Sequence, residues 1–316
     1  MSIMVKRPGL LTTVQDLGRE GYQQFGVSVA GAMDPRAAAI ANILVGNASN
    51  EAVLECTLVG PELLFKQSVL IAVTGGDLGP MLDGVAIATY SAIWVEAGQT
   101  LQFLGLKTGC RAYIAFSGGL NIPVVMGSRS TDLRAKLGGL KGRKLEAGDV
   151  IDFRATDMRL KVWTGRRISP EFVPRRVYLL RVVLGPQSDA FTSEGLHIFL
   201  SQQYSVTHQS DRMGCRLNGK PVEHKKSADI ISDGITFGSI QIPSSGQPII
   251  MLADRQTIGG YTKIATVITA DFRILGQLKG GDQVRFEAVS IEKAQDALLT
   301  QQAALRQLRH ALDNCK

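Results

Sequence analysis

The sequence predicts a mainly β protein with few helices, built from two related β-barrel domains. The pattern Gly-x-x-apolar-x-Phe begins at residues 60, 98, 148 and 281, and each copy predicts a glycine turn followed by a strand with one apolar face. A longer pattern links the two halves, because residues 79–84 contain Leu-Asp-Gly and residues 214–219 contain Leu-Asn-Gly. Both tripeptides are typical of tight hairpins. We therefore expect each half to close its own barrel, which leaves few exposed strand edges.

The chain has 316 residues, which is enough for two domains of ordinary size. Pro170 and Pro174 interrupt the strand pattern between residues 166 and 176, and such prolines favour a connecting segment. We predict an N-terminal barrel domain over residues 1–168 and a C-terminal barrel domain over residues 169–316, the second ending in a helix.

Two helices are clear from the sequence. Asp34 and Pro35 supply a cap and a first-turn proline for a helix whose alanine-rich body covers residues 37–45 and which closes at Gly46. Ser290 caps the second helix, which runs to about residue 313 with apolar residues along one side. Nearly everything between these helices is expected to be β.

Composition favours a soluble, globular, cytoplasmic protein. Hydrophobic residues make up 45% of the chain, but no apolar run reaches the roughly 18 residues of a membrane span, and the N-terminus lacks a secretory core. The four cysteines and four histidines are dispersed, so we expect neither a disulfide framework nor a metal site. The net charge of +7 is spread along the chain. This favours an anionic substrate or an acidic partner subunit over nucleic acid.

Polar clusters in the second half mark the candidate site. Residues 210–214 are Ser-Asp-Arg-Met-Gly, and residues 254–261 are Asp-Arg-Gln-Thr-Ile-Gly-Gly-Tyr, directly after the apolar run 249–253. A short apolar run is typical of a buried strand, so these polar residues are expected where the core gives way to a surface loop, as binding sites often are. The alternative is a surface Asp–Arg ion pair beside a glycine turn, which contributes little stability.

The first half shows the same pattern. Strand-like runs lead into polar segments that contain glycine at residues 74–77, 117–119 and 127–132. The simplest explanation of this repetition is a single polar surface to which these segments and residues 254–261 all contribute.

Some familiar motifs are excluded. Residues 214–220 resemble a phosphate-binding P-loop, but Pro221 stands where a Ser or Thr should hold magnesium. The segment is also expected to continue as a strand hairpin and not to open a helix. The chain contains no biotin-attachment lysine between methionines and no G-x-S-x-G nucleophile elbow.

Several long motifs together resemble one family. They are PGLLTTVQDLGR at 8–19, MDP at 33–35, GSRST at 127–131, SDRMG at 210–214, and DRQT with GGY at 254–261. In this order, over residues 3–290, they resemble the allophanate hydrolase subunit 2 family, also called the KipA family or that of the 5-oxoprolinase C component, which is similar to the carboxyltransferase domain of urea carboxylase. One departure is Ile258, where many members carry a second threonine. The resemblance implies two cyclophilin-like β-barrel domains, in agreement with the repeats.

The resemblance also implies partners and a reaction. The partners are the KipI-like subunit and the LamB/YcsF-like subunit of 5-oxoprolinase, and the reaction opens 5-oxo-L-proline to L-glutamate with hydrolysis of ATP. A lactam is a poor electrophile, so ATP with Mg²⁺ would activate its carbonyl oxygen by phosphorylation, which requires cations and hydrogen-bond donors around the phosphoryl group. We expect no covalent biotin on this chain and activity only in the complex.

Five residues are predicted to be catalytic and eight to bind substrate or nucleotide. Arginines supply positive charge, glycine amides donate hydrogen bonds, and a carboxylate acts as a base or a magnesium ligand. Arg255 is expected at an exposed loop tip. The catalytic residues are Asp211, Arg212, Asp254, Arg255 and Tyr261. The binding residues are Arg129, Ser130, Thr131, Ser210, Gln256, Thr257, Gly259 and Gly260.

Two other functions remain open. In a carboxyltransferase, the same arginines and amides would polarise the carbonyl of carboxybiotin delivered from another chain, and Tyr261 or Asp254 would manage the substrate's proton. A KipA-type antagonist would sequester a KipI-like kinase inhibitor and perform no chemistry. Turnover of ATP with 5-oxoproline, biotin-dependent carboxylation, and tight binding without turnover distinguish the three.

Overall fold

The computed structural model describes residues 2–154 and 157–314, without the side chains of 313 and 314. Its contacts divide the chain into two compact units. The first unit contains residues 1–20, 30–174 and 305–316, and the second contains residues 21–29 and 175–304. None of the helices in the described part of the chain has the length and apolar character that a transmembrane span requires.

Two sheets form the first unit. A six-stranded sheet has the order β11-β1-β4-β9-β6-β7, and a five-stranded sheet has the order β2-β3-β10-β5-β8. The strands are β1 (Ser2–Arg7), β2 (Leu11–Gln15), β3 (Val53–Thr57), β4 (Glu62–Phe65), β5 (Val69–Asp77), β6 (Pro80–Leu82), β7 (Val85–Ala86), β8 (Ala92–Val95), β9 (Thr100–Phe103), β10 (Thr108–Phe116) and β11 (Val150–Asp152).

The main core of the first unit draws on both sheets. Val5 and Phe65 come from the six-stranded sheet and Ile71 and Ile114 from the five-stranded sheet, and all four are fully buried in one apolar cluster. A second cluster joins the other residues of β5 and β10 to helix α1 (Pro35–Leu44). Because residues 69–73 of β5 and 112–116 of β10 are covered on both faces, each forms a continuous apolar run and does not alternate.

The second unit contains a closed barrel of seven strands, in the order β12-β19-β16-β17-β14-β13-β20. It closes where β20 pairs in parallel with β12. β15 and β18 form a separate two-stranded sheet. The strands are β12 (Tyr178–Leu184), β13 (Tyr204–Val206), β14 (Gly214–Asn218), β15 (Asp229–Gly234), β16 (Ser239–Gln241), β17 (Ile249–Met251), β18 (Ile258–Tyr261), β19 (Lys263–Val267) and β20 (Gln283–Ala288).

The prediction of a mainly β protein is confirmed. All four copies of the Gly-x-x-apolar-x-Phe pattern lead into strands, namely β4, β9, β11 and β20. In three of them the glycine has a positive φ, near +90° at Gly98, Gly148 and Gly281, which L side chains rarely adopt. The pattern therefore marks two features together: a turn at the glycine and the apolar face of the strand that follows.

The two hairpin predictions differ in outcome. Asp83 and Gly84 have positive φ values of 47° and 82° and join β6 to β7, as a two-residue hairpin turn requires. The prediction for residues 214–219 was wrong, because β14 pairs with β13 and β17 and neither Asn218 nor Gly219 has a positive φ.

Three local predictions need correction. β5 continues through Thr74 to Asp77, so the polar residues there lie within a strand and not beyond it. Residues 124–126 are not a strand but lead into a tight turn closed between Val125 and Ser128. The region predicted to be nearly all β also contains helix α2 (Ser193–Ser201), whose Thr192 side chain accepts a hydrogen bond from the Gly195 amide.

The remaining helices are short or terminal. Helix α3 (Phe272–Leu275) is a single turn, and α4 (Ile291–Asn314) is the predicted C-terminal helix. Four short 3₁₀ helices occupy Gln23–Phe25, Met158–Trp163, Ser188–Ala190 and Thr269–Asp271. Leu305, Leu308 and Leu312 of α4 pack against the cluster that contains α1.

Asp34→Ala should lower the free energy of unfolding by about 1 kcal/mol. The Asp34 carboxylate accepts a hydrogen bond of 3.0 Å from the Ala37 amide, and alanine leaves that amide without its acceptor. Urea denaturation of the purified chain measures the loss. Asp34→Asn keeps an acceptor oxygen and should retain most of the stability, so an equal loss in both variants would contradict the capping role.

Candidate functional site

The candidate site in the second unit is organised by the end of β15. Arg255 Nε donates a hydrogen bond of 3.2 Å to the Ile235 carbonyl, and Lys263 Nζ donates one of 3.0 Å to the carbonyl of the preceding residue, Gly234. Two cations from different elements are therefore held on consecutive carbonyls. We call Arg255 and Lys263, with these two carbonyls, the two-cation site.

Arg212 and Asp254 form a buried ion pair beside this site. Arg212 Nε and Nη2 each lie 2.8 Å from a different oxygen of the Asp254 carboxylate. The two residues are 5% and 9% exposed. The pair lies just before β14 begins and just after β17 ends, and the Asp254 amide also donates to the Arg212 carbonyl. The sequence predicted that both residues belong to the site, and the structure brings them together in a bidentate geometry that fixes both side chains.

Arg255 is buried and not at an exposed loop tip as the sequence suggested. It is 6% exposed, its Nη1 donates 3.1 Å to the Leu252 carbonyl, and its guanidinium carbon lies 5.9 Å from the centre of the Phe237 ring. Burial lowers the pKa of Arg255 to about 10, although the nearby Asp254 carboxylate acts in the opposite direction. The side chain remains charged at neutral pH, so its environment must supply compensation.

Lys263 was missed by the sequence analysis. It is 4% exposed and forms an ion pair with Asp233 of β15, which lowers the pKa of that carboxyl group. Its backbone amide donates 3.2 Å to the Gln187 side chain. The available signal was a single charged residue in the strand of residues 263–267. A lysine at a strand position is rarely buried unless it is paired.

Gln256 to Tyr261 line the edge of the two-cation site. The Gln256 side chain is exposed, and an ideal Cβ on the buried Gly259 would lie 3.4 Å from Gln256 Nε2 and 2.8 Å from Gln241 Nε2. Tyr261 is 40% exposed, and its carbonyl accepts from Gln241. Thr257 and Gly260 are half-buried, and the carbonyl of the former pairs with the Ile235 amide.

Ser210 and Asp211 are used in a local turn. One Asp211 oxygen accepts hydrogen bonds from the Met213 and Gly214 amides, at 2.8 and 3.0 Å. Ser210 Oγ accepts from the Arg216 amide at 3.0 Å. These contacts shape the segment that contains Arg212 and leads into β14.

The candidates in the first unit belong to a network around Asp16. Its carboxylate accepts from the hydroxyls of Ser128 and Ser130 at 2.7 and 2.5 Å and from the Arg129 amide at 2.6 Å. Ser130 and Thr131 are fully buried. The Arg129 side chain pairs with Glu51 at 3.0 Å. Asp16 therefore holds the predicted binding segment in place.

Arg19 lies beneath the same segment and is fully buried. Nε and Nη2 donate to the carbonyls of Val125 and Ser130 at 3.0 and 2.9 Å, whereas Nη1 has no hydrogen-bond partner among the described residues. Burial lowers the pKa of Arg19, against the attraction of Asp16 and Asp132. The sequence motif contained this residue, but nothing in its spacing indicated that it would be enclosed.

No cluster of three or more His, Cys, Asp or Glu side chains suited to a metal ion occurs within residues 2–154 and 157–314. The carboxylates of the candidate site are separately engaged. Asp254 is held by Arg212, Asp233 by Lys263, and Asp211 by backbone amides.

The fold and the site define a mainly β protein in which a closed barrel is accompanied by buried cations and an exposed glutamine amide. The sequence profile of the carboxyltransferase domain, subdomains A and B, matches residues 25–288. The chain belongs to this carboxyltransferase domain family.

Two relatives match the chain over almost their whole length. The C component of the 5-oxoprolinase of Haemophilus influenzae is 40% identical over 301 residues, which cover 95% of this chain and 96% of the relative. The same component from Escherichia coli is 37% identical over 316 residues, covering 99% of each. The crystal structure of the K. lactis urea amidolyase has a TM-score of 0.89 and 30% identity, with 97% of this chain matching 20% of that protein.

Arg212→Met should lower the free energy of unfolding by about 3 kcal/mol or more, because it leaves the Asp254 carboxylate buried without this partner. Arg212→Met/Asp254→Leu removes both charges, and its loss should be smaller than the sum of the two single losses. Urea denaturation of the three variants gives the coupling free energy. Additive losses would show that the two side chains do not depend on each other.

Proposed function

We propose that this chain is the C component of an ATP-dependent 5-oxoprolinase, which converts 5-oxo-L-proline into L-glutamate with hydrolysis of ATP. The observation that carries the proposal is the near full-length match to the corresponding protein of Haemophilus influenzae, at 40% identity over 96% of that protein. The urea amidolyase match covers only 20% of a much larger chain. The match to the 5-oxoprolinase component therefore extends over nearly the full length of that relative, which the urea amidolyase match does not.

The charges of the site support an anionic substrate. Arg212 and Asp254 neutralise each other, as do Lys263 and Asp233. Arg255 donates to two neutral carbonyls and has no carboxylate within ion-pair distance in the described part of the chain. The site thus carries one buried positive charge in excess. A carboxylate or a developing phosphoryl charge would compensate it in a region of low dielectric.

Each residue has a role in the proposed reaction. ATP supplies the phosphoryl group that turns the lactam carbonyl oxygen into a leaving group. Arg255 and Lys263 would hold the anionic groups. Because both Asp254 oxygens are engaged, Asp254 would orient Arg212 instead of accepting a proton. Water would then attack the ring carbon, and the C–N bond would break as the ring nitrogen takes a proton. A second water would hydrolyse the resulting acyl phosphate, which gives L-glutamate and phosphate.

The complex would complete the site. We propose a KipI-like subunit and a LamB/YcsF-like subunit of 5-oxoprolinase as cytoplasmic partners, with Mg²⁺ accompanying ATP. Both relatives are named as one of several 5-oxoprolinase subunits, which supports a multi-subunit enzyme. Asp211, Tyr261, Ser210, Thr257 and Gly260 remain proposed members of the site.

A carboxyltransferase function is the second candidate, because the family profile carries that name. In that reaction the two cations would polarise the carbonyl of carboxybiotin. Transfer of labelled carboxyl from a carboxybiotin donor to urea by the purified chain would favour it. We further propose that both units are cyclophilin-like barrels of common topology, which superposition of an experimental structure would test.

The chain alone should hydrolyse ATP with 5-oxoproline at a rate at least a hundredfold below that of the three-subunit complex. The reason is that the described site offers cations and amides but no P-loop and no metal-ligand cluster. Phosphate release is measured for each subunit separately and for the mixture. Full activity of the isolated chain would contradict the proposal of a shared site.

Arg255→Ala should reduce turnover of the complex about a hundredfold, equivalent to roughly 3 kcal/mol of transition-state stabilisation. The same change removes the side-chain donors to the Ile235 and Leu252 carbonyls, of which only Leu252 keeps a donor among the described residues, the backbone amide of residue 255. The free energy of unfolding should therefore also fall by about 2 kcal/mol. Steady-state phosphate release and urea denaturation measure the two effects.

Arg285→Ala is the matched control, because Arg285 is an exposed cation on β20 of the same barrel. It should change neither quantity. Near-normal turnover of the Arg255→Ala complex would show that Arg255 has a structural role only and would contradict its proposed role in the reaction.

A further inference from the structure

The Gln256 side chain offers an unused amide at the two-cation site. It is exposed, and its carboxamide makes no hydrogen bond with any described residue. Its neighbour in the chain, Arg255, is buried and points to the Ile235 carbonyl. Consecutive residues therefore supply a buried charge and an accessible amide.

Gly259 lies beside the Gln256 amide. Its Cα faces Gln256 Nε2, Gln241 Nε2 and the Ile235 side chain, which would be 3.4, 2.8 and 2.5 Å from an added Cβ. Gly259 pairs in register with Asp233, the residue that holds Lys263. Gln256 Nε2 thus lies beside Gly259, the register partner of the aspartate that holds Lys263, and the absence of a Cβ leaves room for it.

A primary carboxamide presents one donor and one acceptor side by side. A five-membered lactam has a cis amide, so its N–H and C=O also lie on one edge, whereas an ordinary trans peptide directs them to opposite sides. We propose that the Gln256 carboxamide pairs with this edge of 5-oxoproline, with Oε1 accepting from the ring N–H and Nε2 donating to the ring carbonyl. This inference rests on the proposed function and identifies the side chain that recognises the substrate.

The two-cation site then binds the carboxylate of the same substrate. Arg255 carries the charge that no carboxylate of the described chain neutralises within ion-pair distance, so it is the first choice for that contact. Ring opening converts the cis amide into a separate ammonium and carboxylate. The product has no edge to match Gln256, which favours its release over rebinding.

Kinetics of the three-subunit complex test the pairing. Gln256→Leu should raise KM for 5-oxoproline at least tenfold, with kcat changed less than threefold and KM for ATP unchanged. Gln256→Glu keeps an acceptor but loses the donor, and should raise the same KM. Gln203→Leu, an exposed glutamine before β13, is the matched control and should behave as wild type.

An N-methylated substrate analogue separates recognition from structure. N-methyl-5-oxoproline lacks the ring N–H, so as a competitive inhibitor of the wild-type complex it should bind at least tenfold more weakly than 5-oxoproline. In Gln256→Leu this difference should shrink to less than threefold, because the acceptor is already absent. An unchanged KM in Gln256→Leu, or a methylation penalty that persists in that variant, would overturn the inference while the proposed function stands. A wild-type complex without turnover would overturn both.

Discussion

The need to compensate buried positive charge governs the second unit. Arg255 and Lys263 reach the end of β15 from different elements, and each donates to a carbonyl there. A guanidinium or ammonium group inside a protein is costly unless hydrogen bonds or an opposite charge replace its water. Asp233, Asp254 and the two carbonyls supply most of that compensation. Asp233 and the Gly234 carbonyl belong to β15, and the Ile235 carbonyl follows it directly, so the separate β15–β18 sheet supplies much of this compensation.

The first unit meets the same need in a similar way. Arg19 is enclosed by the carbonyls of Val125 and Ser130, and Asp16 lies close enough to influence its pKa. Asp16 in turn holds two hydroxyls and one amide of the 128–130 segment. Each unit thus places an arginine inside and orders a polar loop around it. The serines of the first-unit loop are buried in these contacts, whereas the loop in the second unit leaves Gln256 exposed.

Sequence patterns identified the parts of the fold that depend on local chemistry. Asp34, Pro35 and the glycines before four strands act within a few residues of where they stand, so their effect is visible in the sequence. Helix α2 was missed although Thr192 caps it and Leu196, Phe199 and Leu200 have helical spacing. Its apolar part is so short that the same residues also suit a strand. Burial of Arg255 and Lys263 could not be predicted, because it depends on β15, which meets them only through long-range pairing. The motif at 254–261 therefore predicted where the candidate site lies in the sequence, but not that its cations are buried.

Helix α4 affects how the first unit is assembled during synthesis. Leu305, Leu308 and Leu312 pack against the apolar cluster of α1, and Arg309 donates a hydrogen bond of 2.6 Å to the Asn47 carbonyl. The unit that contains most of the first 174 residues also contains residues 305–316. While a ribosome is still translating the second unit, the first unit lacks these leucines and leaves that apolar surface uncovered. Its final stability is acquired only after the last helix has emerged from the exit tunnel.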